Sequence, residues 1–586
     1  MSDAPRLPSR RAYAGWLACL AALALLSLPA AAGAHAVLER TSPERGARLE
    51  RPPAQVAFHF NEPVEASFGA VRVFDARGDE VETGEPTHPD GRSDAIAVSL
   101  PPDLPDGTYT ATFRVVSADS HPISGGFVFT VGEPGAARAA SVSELLADAE
   151  AGPVTDAAFW LARALSYLAT GLAVGLLAFL ALVWGPAIAR HTANGTDAWA
   201  DAQRAFAARL RRALGAAIVS GLGATAAALV LQGAVAAGAS VFDALDGETL
   251  NAVLATPFGE AAAARIVAWL ALAAALVLLG RPGHGARRLG ACLALAGCVV
   301  LVVSPALAGH AATHSPALLV AADALHVGAM CAWLGGLAAL GSLLPAATRA
   351  LAPAGKTRLL AATLARFSPL ALAAVAALAA SGLTAALAYL TSPRDLWTTS
   401  FGRAIALKAL LFAALIALGA LNRSRLLPRL RSLAARGDAP GAPGAVIRAT
   451  LRAEAALVAC VLGVSAALVS YPPPDAAAGP VSGRLEAGSA LVEYTVDPAR
   501  AGANEVHLYL FDAADGSQLR ARGVRLLLRL PERDVGPIEA ELERAGPGHY
   551  VAPQAPLGVP GEWEAEVSFR LSRFEEVRGL FEVRIR

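Results

Sequence analysis

Methionine is almost missing from this chain: Met1 and Met330 are the only two in 586 residues. A site built from many thioethers, the usual home of soft Cu(I), is therefore excluded everywhere, and a single such donor is available only at position 330. Cysteine is nearly as sparse. Cys19, Cys292, Cys298, Cys331 and Cys460 all lie in apolar stretches and none forms a C-x-x-C pair, which argues against a disulfide framework or a thiolate cluster. Net charge is absent too, 49 basic residues against 49 acidic ones, so nothing points to nucleic acid. A phosphate loop is also missing. Gly355-Lys356-Thr357 has Ala350 where the first glycine is required and no strand before it, so ATP is not an expected partner. No catalytic constellation stands out, and an enzyme is not expected.

What is present is apolar sequence, 55% hydrophobic with a mean hydropathy of +0.46, too much for one soluble domain of this length. Residues 1–34 read as a secretory signal peptide. Arg6, Arg10 and Arg11 precede an apolar run from Trp16 to Pro29, and Ala32-Gly33-Ala34 is an A-x-A cleavage pattern that would leave His35 first. Residues 35–133 alternate short apolar runs, such as Val56 to Phe60 and Val71 to Phe74, with turn residues, the pattern of a small all-β domain. Residues 134–153 form a small-residue linker with a helical piece around Val142 to Ala149.

Within 154–471, eight apolar stretches are long enough to span a bilayer, at about 157–187, 211–238, 260–280, 288–308, 317–344, 367–390, 402–421 and 448–470. Basic residues gather between alternate stretches: Arg190, Arg204, Arg209, Arg211 and Arg212, then Arg281, Arg287 and Arg288, then Arg349, Lys356 and Arg358, then Arg423 to Arg436. The positive-inside rule makes that side cytoplasmic and puts both termini outside, in agreement with the signal peptide. Residues 478–586 turn soluble again and read as a second β-sandwich, in which His507 and His549 look isolated.

Two groups of residues invite a metal. His35, as a mature N-terminus, offers an amino nitrogen and an imidazole, and Asp119 and His121, two apart on an extended segment, present their side chains on one side. Such nitrogen and oxygen donors suit Cu(II). On spacing alone, a frayed terminus and a turn-capping aspartate fit equally well. The second group lies between Gly309 and Gly336. His310 and His314 precede the fifth stretch, and Asp323, His326, Met330 and Trp333 follow at helical spacing as one stripe. With entry near Ala317, His326 would lie about 14 Å deep, close to the midplane. Ionisable groups at that depth mark a pathway or a polar helix contact. Lys408 is expected to reach outward to the interface.

Residues 35–81, beginning HAVLERTSPE, and 106–132, containing TFRVVSADSHPISGGFVF, resemble the CopC family of periplasmic copper-binding β-barrels. The resemblance implies Cu(II) held by His35, Asp119 and His121. The methionine-rich Cu(I) site of some members is not expected, since this domain has no methionine. The membrane part is similar to the CopD family in Gly309-His310-Ala311, Asp323-Ala324-Leu325-His326, Trp333-Leu334-Gly335-Gly336, Arg366-Phe367-Ser368, Ser381-Gly382, Phe401-Gly402 with Lys408, Asn422-Arg423 and Arg452-Ala453-Glu454. That similarity implies copper movement across the inner membrane, usually toward the cytoplasm.

The expectation is a multi-domain membrane protein: an all-β Greek-key barrel or sandwich, an eight-helix transmembrane α bundle, then a small C-terminal β-sandwich. It would capture Cu(II), from periplasmic copper donors or directly, and import copper along His310, His314, Asp323, His326 and Met330, with Cu(I) suited to Met330. Two rivals stay open. One is a haem protein using His310 and His326 as axial ligands. The other is a membrane-anchored copper buffer or sensor that transports nothing.

Overall fold

A computed structural model describes residues 36–585 apart from 37, 45–46, 66–70, 118–121, 133–141, 143–144, 146–151, 193–196, 238–239, 241–244, 246, 308–315, 391, 470, 472–480, 514–518, 520 and 547. The expectations for the signal peptide, most of the linker, and His35, Asp119, His121, His310 and His314 fall outside the described residues.

The N-terminal domain is a sandwich of two sheets. One has the order β1 (Leu38–Ser42), β3 (Gln55–Phe60), β7 (Ala95–Ser99), β6 (Thr83–Thr87). The other runs β2 (Arg48–Leu49), β9 (Pro122–Val131), β8 (Gly107–Ser117), β4 (Val64–Glu65), with β5 (Val71–Phe74) also on β8. Alternation drives Val56, Phe58 and Phe60 of β3 inward, where Phe58 meets Phe113 and Phe127 at ring-centroid distances of 5.0 and 5.4 Å. Phe113 pairs with Gly125 across the β8–β9 hairpin, and a Cβ on that glycine would come within 2.7 Å of the ring. Aromatic packing thus holds together a domain that has no cysteine.

Eight helices among the described residues are long and apolar enough to cross a membrane: α1 (Pro153–Ala189), α2 (Asp197–Ala236), α3 (Pro257–Leu279), α4 (His284–Leu307), α5 (Ala317–Ala347), α6 (Pro353–Tyr389), α7 (Ser400–Arg436) and α8 (Gly441–Leu468). Their outer faces carry exposed apolar side chains such as Val267, Leu295 and Leu410, which water would not tolerate and lipid does. Several helices exceed the apolar stretches. The arginine-rich segment after the seventh stretch, expected as a loop, is helical to Arg436, and α2 begins at Asp197. A helix satisfies its own backbone hydrogen bonds, so it continues into water as readily as through lipid once its charges are solvated.

The most enclosed of the eight is α5, which packs against α4, α6 and α8 and touches α1. Small residues set that last contact. A Cβ on Gly175 would collide with the carbonyl of Cys331, and one on Gly335 with the backbone of Gly175. The α1 and α5 backbones therefore meet directly. Gly336 likewise leaves room for the Phe367 ring of α6. Three π-helical turns, Leu180–Trp184, Ala339–Leu343 and Asn422–Leu426, interrupt α1, α5 and α7 near their C-terminal ends.

The C-terminal domain is a second sandwich. One sheet is β10 (Val481–Ala487), β11 (Ala490–Asp497), β12 (Gly502–Asp512), β16 (His549–Leu557), β15 (Glu543–Gly546); the other is β14 (Val535–Ala540), β13 (Arg522–Leu530), β17 (Gly561–Arg570), β18 (Glu576–Ile585). Val506, Leu508 and Leu510 face Leu526, Leu528, Trp563 and Phe569 between them.

Candidate metal path

In the first domain, the strands that flank the expected ligands end together. Leu38 pairs with Phe60 at the finish of β3, and Ser117 pairs with Val64, four residues further along. Ala36, beside His35, is buried in the core, β8 ends at Ser117 and β9 begins at Pro122. Both flanks thus lie at one end of the sandwich.

In the bundle, the stripe expected on α5 forms. His326 Nδ1 lies 2.9 Å from Ser381 Oγ of α6. The serine hydroxyl has one proton, and it donates to the Ala377 carbonyl at 2.7 Å. Ser381 therefore accepts from His326 Nδ1–H, and the ring's lone pair is left on Nε2, the form a metal ion requires. Gly382 passes next to the ring, where a Cβ would sit 3.7 Å from Cε1. Ser381-Gly382, one of the family-like pieces, thus both packs against α5 and orients the imidazole. One turn on, the Met330 sulfur packs against α1 at Gly171. Trp333 follows, buried, and meets Phe412 of α7 edge-on at 6.0 Å.

Charge around the stripe is richer than expected. Lys408 does not reach outward: it stands within electrostatic range of both Asp323 and His326. Tyr167 of α1 interacts with Arg163, Arg265 and Asp323. Arg163 lies over the Phe159 ring at 4.2 Å, and Arg265 Nε donates to Ser304 Oγ of α4 at 3.2 Å. The helices α1, α3, α5 and α7 enter from the same end, and Arg163, Arg265, Asp323 and Lys408 lie about 9 to 15 Å along them at 1.5 Å per residue. Their counterpart in the sequence was visible: each odd-numbered span carries an Arg, Asp or Lys six to ten positions in. Lys408 is the cation within electrostatic range of Asp323, and His326 and Met330 add neutral donors one and two turns on.

Two further clusters escaped the sequence. Asn422 of α7 bonds Glu454 and Thr450 of α8. In the C-terminal domain, His507 Nδ1 and His549 Nε2 are 3.0 Å apart, His507 Nε2 is 3.2 Å from Glu505, and all three are buried. The two histidines, isolated along the chain, are joined by the β12–β16 register, in which Tyr509 pairs with His549. Each nitrogen of His507 faces a different partner, so the trio is a row, hydrogen-bonded between the two histidines, and its donors do not converge on one point.

A β-sandwich and eight apolar spans bearing buried polar groups define a multi-pass membrane protein. Residues 38–132 match the CopC domain, 154–318 the copper resistance protein D-like N-terminal domain, and 361–468 copper resistance protein D. The chain is 30% identical over 508 residues to the copper transport protein CutJ of Bacillus subtilis, covering 85% of both chains. It is 29% identical over 98 residues to protein YobA of Escherichia coli K12, covering 17% of this chain and 79% of that one. It also resembles the crystal structure of CopC from Methylosinus trichosporium OB3b, at 24% identity over 18% of this chain and 97% of that one, with a TM-score of 0.16. The chain belongs to the CopC–CopD fusion family of copper-handling membrane proteins, homologous to a copper transport protein.

Proposed function

We propose that the chain captures copper on the outer face of the inner membrane and carries it toward the cytoplasm, as a transporter and not an enzyme. Cu(II) is taken by His35, Asp119 and His121, passes to His310 and His314 at the mouth, and moves along Asp323, His326 and Met330, with Cu(I) the form matched to the thioether. The sidedness rests on the basic residues of alternate connections, which assign the arginine-bearing ends of α1, α3, α5 and α7 to the cytoplasm, and the inward direction rests on the family resemblance. The family assignment and the name of the Bacillus relative support copper as cargo.

One observation carries the membrane route: the serine-held His326, four residues before Met330, the only methionine beyond Met1, on the same helix. The test is copper uptake into proteoliposomes by the unaltered protein and by His326→Ala. Uptake by the first, and its fall to the protein-free level in the second, are expected. Equal uptake by both would remove His326 from the route, and none by either would leave a buffer or sensor.

A further inference from the structure

At the end of the bundle where α5 and α7 finish, three helices share one polar cluster. Asn422 Nδ2 donates to Glu454 Oε1 at 2.7 Å, and Thr450 Oγ1 donates to Asn422 Oδ1 at 2.7 Å. Arg423, next along α7, donates to Ser368 of α6. The family-like pieces Arg366-Phe367-Ser368, Asn422-Arg423 and Arg452-Ala453-Glu454 thus meet in one place. The π-helical turn begins at Asn422, and such a turn redirects the side chains it carries.

Glu454 is 2% exposed, and among the described residues it forms no ion pair. Arg366 of α6, Arg423 and Arg425 of α7 and Arg448 and Arg452 of α8 lie within two turns of the clustered residues along their helices, and Glu454's own interaction is with the neutral Asn422. Asn422 lies 14 residues beyond Lys408, about 21 Å along α7, so this cluster is a second polar station, remote from His326. The Trp333–Phe412 contact stands between the two.

Asn422 engages one carboxyl oxygen only, and that oxygen accepts equally well in a carboxylate or in a carboxylic acid. The cage therefore fits both forms. We propose that Glu454 is the exchange site at the arginine-bearing mouth of the copper route, an inference that rests on the transport reading. A copper ion arriving from the imidazole and thioether replaces the carboxyl proton: the O–H bond breaks, an O–Cu contact forms, and the proton leaves to the water on that side. Release reverses the step, with no change of oxidation state. Oxygen donors hold Cu(I) weakly beside sulfur and nitrogen, which suits a point of departure.

The test uses the full chain. Copper is added to purified protein with a pH-indicator dye, and copper uptake into proteoliposomes is followed as interior pH varies. The unaltered protein should release about one more proton per copper than Glu454→Gln, since a ligand must shed its proton to bind metal. Uptake by Glu454→Gln should lose its response to interior pH. Glu454→Asp, which keeps an exchangeable proton, should restore both. Equal proton release and pH response in Glu454→Gln would overturn the exchange while copper uptake, and with it the transport reading, still stood. Failure of the unaltered protein to take up copper would remove both.

Discussion

His59 stands on β3 between two buried phenylalanines, opposite Arg40 of β1. The ring is half-buried on a strand that lies between β1 and β7. Burial pushes its imidazole below the usual range, Arg40 and Arg92 add to the effect, and Asp94 opposes it. The fold therefore favours the neutral ring, and the unfolded chain binds the proton more readily. Stability from this group is present above the unfolded value of about 6.5 and is lost as pH falls through it. The midpoint of thermal unfolding of the first domain should drop between pH 7 and pH 5, and His59→Gln should flatten that slope; an unchanged slope would contradict the assignment. His326 was legible as part of a helical stripe, whereas its partner Ser381 was not, because 55 residues separate them and only helix packing joins them. The same holds for His507 and His549, 42 residues apart and joined by strand register.

Elements were legible where period and length spoke, and less so at their ends. The eight spans follow from apolar runs, but α2 and α6 extend well past them at 40 and 37 residues, since charged turns outside lipid remain helical. The glycines of α5 were quoted as family-like residues, and their mechanical meaning needed the neighbouring helix. Gly335 faces the α1 backbone, so Gly335→Leu must force α1 and α5 apart. Overpacking of this kind costs about 1–3 kcal/mol or more, and the detergent-solubilised protein should unfold several degrees earlier. Gly223→Ala on α2, where an added Cβ meets nothing within 4 Å, should leave the midpoint within a degree or raise it slightly through helix propensity. A Gly335→Leu protein as stable as the parent would refute the seam.

At the scale of the whole molecule, the three-part plan was readable from composition alone, as soluble, apolar and soluble stretches. Sidedness is a matter of charge, and it can be measured. In a background without the native cysteines, Ser572→Cys, exposed in the C-terminal sandwich, should react with a membrane-impermeant maleimide on intact cells. Ser432→Cys, among the arginines of α7, should react only after permeabilisation. The reverse pattern would invert the proposed direction of copper flow. The glycine contact between α1 and α5 bears on how such flow can occur at all. A joint made of bare main chain has no rotamers to yield, so these two helices form a fixed spine. Any alternation of access must pivot on looser members, and the least enclosed of them is α7, which brings Lys408 to one station and Asn422 to the other.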